Sequence, residues 1–72
     1  MKFIPTPVSN ARMEMFRIAK RYTDLDTAFE LASRMQFAKI MILAKDVNDK
    51  LQVVKWYAKV LQYNKMQQLE VN

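Results

Sequence analysis

Apolar residues recur at helical spacing through the first half of the chain and lose that order in the second half. Between Asn10 and Tyr22, Ala11, Met15, Ile18, Ala19 and Tyr22 fall on one face at 100° per residue, with Arg12, Arg17, Lys20 and Arg21 elsewhere. This spacing predicts a first helix over about 10–22, capped by Ser9 or Asn10, with Glu14 placed to pair with Arg17 or Arg21. Thr23-Asp24-Leu25-Asp26 reads as a Thr-x-x-Asp capping box, and Asp24, Asp26 and Glu30 suit the positive end of a helix dipole. A second helix over 24–45 is expected to bury Leu25, Ala28, Leu31, Ala32 and Met35.

From Phe37 to Lys45 the apolar residues occupy every side of a helix, the pattern of an element covered all round. A hairpin pairing Ile40–Ala44 with Leu51–Ala58 competes with the helix. Helix is preferred: the turn lacks glycine, Ala38 and Ala44 favour helix, and two strands without a third are marginal. The last helix is expected to start at Asn48 or Asp49 and to run to about 68. It carries two apolar stripes. One is Leu51, Val54, Ala58, Leu61 and Leu69, with Tyr57 at its edge; the other, nearly opposite, is Val53, Trp56, Val60 and Tyr63.

Residues 1–8 read as an extended arm, because Pro5 and Pro7 push Ile4 and Thr6 away from helical geometry. Phe3, Ile4 and Val8 give the arm apolar groups with which to dock. The expected fold is a single all-α domain over 1–72, with three helices, or four if the second breaks near Gln36, behind that arm.

Composition narrows the chemistry. The 72 residues contain no Gly, Cys or His, which excludes imidazole and thiolate metal sites, disulfides, His-assisted nucleophiles and glycine-rich phosphate loops. A chain of this size buries only about 60% of the surface its unfolded form exposes. Without disulfides or such metal sites, helix packing or association must carry its stability. Asp26 and Glu30 form a carboxylate pair four residues apart, explained by the helix dipole. Asp46, Asn48 and Asp49 faintly resemble a calcium loop but lack its central glycine and final glutamate; helix capping explains them. No enzyme and no cofactor are expected.

The longest apolar run, Ile40–Ala44, is too short to span a membrane, and Pro5 and Pro7 interrupt any signal-peptide pattern, so an intracellular protein is expected.

Three helices need one inward stripe each, and half the residues here are hydrophobic (51%). The surplus on the last helix and on the Phe37–Lys45 segment points to a small non-catalytic protein-binding module. It would associate with a larger protein, and modulate or inhibit it, or pair with a second copy of itself. Small modulators of larger assemblies, including those of bacteriophages, have this scale. Trp56, Tyr63, Val60 and Lys59 are the first candidates for the contact, followed by Val53, Phe37 and Met41, with Phe3 and Ile4 behind them. The alternative follows from the net charge of +5: a nucleic-acid or acidic-partner contact through Arg12, Arg17, Lys20 and Arg21. It has no reader motif behind it, since no helix-turn-helix spacing is present.

Overall fold

Thr6 and Pro7 begin the first helix. Thr6 is extended (φ −107°, ψ 162°) and its side-chain oxygen accepts the Ser9 N–H at 3.1 Å. Pro7 takes the first helical position, where its missing N–H leaves nothing unpaired. In this computed structural model, which describes residues 6–71 and their side chains as far as Met66, α1 therefore spans Pro7–Ala19. The second half of the expected arm is helix, and the cap is Thr6 instead of Ser9 or Asn10. Phe3 and Ile4 lie outside the described residues.

Asp24 caps α2 (Leu25–Ser33), accepting the Thr27 N–H at 3.1 Å. Bonds from Thr27 hold its carboxyl below the usual carboxylate range. The Thr23 hydroxyl donates to Asp24 (3.2 Å) and does not itself cap, so the expected capping box is replaced by a simple Asp cap.

The helix expected over 24–45 breaks at Met35, which has φ +57°. There the Gln36 N–H reaches the Leu31 carbonyl and the Met35 N–H the Ala32 carbonyl, both at 3.0 Å. These two bonds close a Schellman motif, and a shorter α3 (Phe37–Leu43) follows. α4 spans Val47–Val71. Its cap is Asp46, and not Asn48 or Asp49: Oδ1 accepts the Asn48 N–H at 2.9 Å and the main-chain carbonyl accepts from Lys50 at 3.0 Å. Among the described residues the fold is thus all-α, with four helices and no strand.

α1 is the shared wall of the fold, touching α2, α3 and α4, while α3 and α4 form a helical hairpin; α2 makes no close approach to α4 among the described residues. The core holds Ala11, Met15, Ile18 and Ala19 of α1, Ala28 and Ala32 of α2, Phe37 and Ile40 of α3, Ala44, and Val53 and Val60 of α4. Five of these eleven are alanines. Small side chains let helices approach closely but remove little apolar area from water. Larger apolar residues are left outside, including Leu25, Phe29, Ile42 and Leu51.

Candidate functional site

One buried acid sets the rotation of α4. Asp49 is 6% exposed. Its Oδ1 accepts from Arg21 Nη1 at 2.8 Å and its Oδ2 accepts from the Tyr22 hydroxyl at 2.6 Å. The Tyr22 oxygen in turn accepts the Asp46 N–H at 3.3 Å. The Tyr22 bond, joined by Arg21, holds the Asp49 carboxyl below its ordinary range against the opposing effect of burial. The same bond pushes the Tyr22 phenol up. At 100° per residue Asp49 shares a face with Val53 and Val60, so anchoring it to the end of α1 turns that face inward.

Val53 (1% exposed) and Val60 (7%) are accordingly core residues of the chain itself. As candidate contacts for another protein they are corrected here: their surface is covered by the chain's own helices. Phe37 is also buried, its ring edge-on to Tyr57 with centroids 5.5 Å apart. Trp56 and Tyr63 are half-buried at the margin of the same stripe. With Lys59, whose Nζ lies 4.8 Å from the Trp56 ring centroid, they line a cleft of about 310 Å³ beside Pro7 and Asn10. The structure thus brings Trp56, Lys59 and Tyr63 together at the start of α1.

The apolar surplus of α4 is the stripe that sequence reasoning had turned inward. Leu51 (61%), Tyr57 (48%) and Leu61 (49%) are exposed, as are Val47, Val54 and Ala58. Val47, Leu51, Val54, Ala58 and Leu61 alternate at spacings of four and three, which is the spacing of a coiled-coil seam. That signal was legible in the sequence; its outward orientation was not. Beside this seam α3 contributes Met41 and Ile42, both exposed. Between the two helices Phe37, Ala38, Met41, Val54 and Tyr57 line a groove of about 270 Å³ floored by Val53. From Phe37 to Met66 the exposed charges are Lys39, Lys45, Lys50, Lys55, Lys59 and Lys65, against one exposed acid, Asp46.

A second apolar surface lies between α1 and α2. Met13, Phe16, Phe29 and Ala32 line a cleft of about 420 Å³, Phe16 and Phe29 meet edge-on at 6.3 Å, and Lys20 lies 5.8 Å from the Phe16 centroid.

The candidate cations Arg12, Arg17, Lys20 and Arg21 do not converge. Arg17 pairs with Glu14 at 3.2 Å, Arg21 with Asp49 at 2.8 Å, and Lys20 sits over Phe16. Only Arg12 and Arg17 lie on α1; Lys20 caps its C-terminus and Arg21 lies beyond it. Most of the acids singled out from the sequence are engaged: Asp24 caps α2, Glu30 lies 3.8 Å from Arg34, Asp46 caps α4 and Asp49 is anchored, while Asp26 is exposed in the first turn of α2. No group of three metal-ligating side chains occurs among the described residues, and no helix there is long and apolar enough to cross a membrane. No protein-family model matches the chain, and neither a curated protein nor a solved structure shows significant similarity to it.

Proposed function

We propose that this chain is a small non-catalytic protein-binding module that associates with a larger protein, and modulates it, through the exposed face of α3 and α4. One observation carries the reading: alanines fill much of the core while Leu51, Val54, Tyr57, Leu61, Met41 and Ile42 stay on the surface. Contiguous apolar surface of this kind is characteristic of interaction sites. Such a role needs none of the catalytic groups that the composition lacks.

Contact with nucleic acid through α1 has less support. Two of the four candidate cations, Arg17 and Arg21, are held in ion pairs, and an electrostatic footprint calls for cations gathered on one face.

The test is cross-linking of the tagged full chain in its native lysate, alongside a Leu51→Lys/Leu61→Lys variant. The expected result is a cross-linked protein captured by the parent chain and lost from the variant, with thermal stability unchanged. Equal capture by both chains would place the contact elsewhere.

A further inference from the structure

We infer that the occupant of the α3–α4 face is an amphipathic helix with acidic flanks, laid along α4 as the missing third member of the α3–α4 hairpin. This rests on the module reading above and names the chemistry of its partner. The seam from Val47 to Leu61 follows the four–three spacing that accepts knobs from a facing helix, and it extends about 21 Å. An apolar helix of four turns matches it. The groove beside the seam is concave, and the exposed Met41 at its edge gives an adaptable wall.

Charge selects the kind of helix. The exposed side chains of α3 and α4 as far as Met66 carry only lysine charges, with Lys50 and Lys55 on the two borders of the seam. Lys65 continues the seam itself, four residues beyond Leu61. A second copy of the chain would set lysine against lysine along both borders, whereas glutamates and aspartates there complement them. A narrow seam beside a concave groove also suits a helix better than a lipid surface, which is met by a broad convex apolar face.

The experiment titrates the full chain with two labelled peptides of about 21 residues that share leucines at heptad a and d positions. One carries glutamate on its flanks and the other lysine, and binding is read by fluorescence anisotropy. The glutamate peptide is expected to bind roughly tenfold or more tightly. That advantage should shrink as salt rises from about 50 to 500 mM. Val54→Asp/Leu61→Asp should abolish binding with the helical circular dichroism intact, and Phe29→Asp, on the other apolar surface, should leave it unchanged.

Equal binding of the two peptides, or binding that survives Val54→Asp/Leu61→Asp, would overturn the inference. So would a dimer of the chain alone that the same double variant dissolves, or tighter binding to phosphatidylserine vesicles than to the glutamate peptide. If the peptide fails while lysate capture still depends on Leu51 and Leu61, the acidic helix falls and the module reading stands. If both fail, both fall.

Discussion

Met35 holds a left-handed backbone conformation (φ +57°) in a chain that has no glycine to offer. For a residue with a Cβ this costs about 1–2 kcal/mol, offset by the two carbonyl bonds that close α2 and by contact with the core. Met35→Ala keeps the backbone penalty and loses the side chain; Met35→Gly loses both. The glycine variant should therefore be about 1 kcal/mol more stable than the alanine variant in urea unfolding, the reverse of their order inside a helix. The sequence placed a possible break near Gln36, where the amphipathic pattern ends, but not the residue that makes the turn: its usual marker is glycine, and a methionine stands there. Asp49 supplies the second residue-scale expectation. Its folded carboxyl titrates below its ordinary value, so the stability it adds is present above about pH 4 and fades as pH falls through the lowered value. Tyr22 is the opposite case: raised in the folded state, it contributes below its ordinary pKa of 10.0 and loses that contribution at still higher pH. Asp49→Asn should cost about 2 kcal/mol near neutrality and flatten the acid limb of melting temperature against pH. Tyr22→Phe should make that acid limb shallower, because the folded carboxyl then titrates closer to its unfolded value.

α4 shows what periodicity settles and what it leaves open. Its two apolar stripes are nearly equal in size and lie on opposite faces, so the spacing identifies the helix without choosing its inward side. The choice comes from Arg21 and Tyr22, 28 and 27 residues away from Asp49, and no local pattern records that contact. Two adjacent substitutions separate the faces. Val53→Asp buries a charge among α1 and α3 and should unfold the chain, whereas Val54→Asp, on the exposed stripe, should shift stability by about 0.5 kcal/mol or less in thermal melts. α1 carries a related lesson. Pro7 was legible as punctuation, but a proline after an extended threonine opens a helix as readily as it prolongs an arm. By contrast, the helical reading of Phe37–Ala58 was legible from the missing turn glycine and the alanines, and the structure shows α3, a short link and α4 there.

At the scale of the molecule, α1 is the element on which the others depend. A 72-residue domain is stable by about 4–11 kcal/mol, and fully buried Met15 sits midway along α1. Met15→Ala should remove about 3 kcal/mol. Because α1 supports both α2 and the α3–α4 hairpin, Trp56 fluorescence and far-ultraviolet circular dichroism should lose signal in one coincident transition. The distribution of charge was legible in the sequence and its meaning was not. The lysines after Gln36 look scattered along the chain, yet two of them, Lys50 and Lys55, fall on the borders of the exposed stripe of α4. Four of the six described acids, Glu14, Asp24, Asp26 and Glu30, lie on or before α1 and α2, away from that face.

α2 rests on α1 and α3 alone, through a seat built largely of alanine, and this gives it a separate dynamic life. It commits only two alanines fully to the interior, turns Leu25 and Phe29 outward, and has no close approach to α4. Its amide protons should therefore exchange with solvent through an excursion that lifts this helix from α1 and α3, at a free energy below that of global unfolding. Native-state hydrogen exchange would show this as α2 amides whose protection is unmoved by Val53→Ala, while those of α1 and the first half of α4 fall in step with the lost stability. In the lifted form α1 exposes the ring of Phe16 that Phe29 otherwise meets, so a minority of molecules carries a wider apolar surface on α1, apart from the α3–α4 groove.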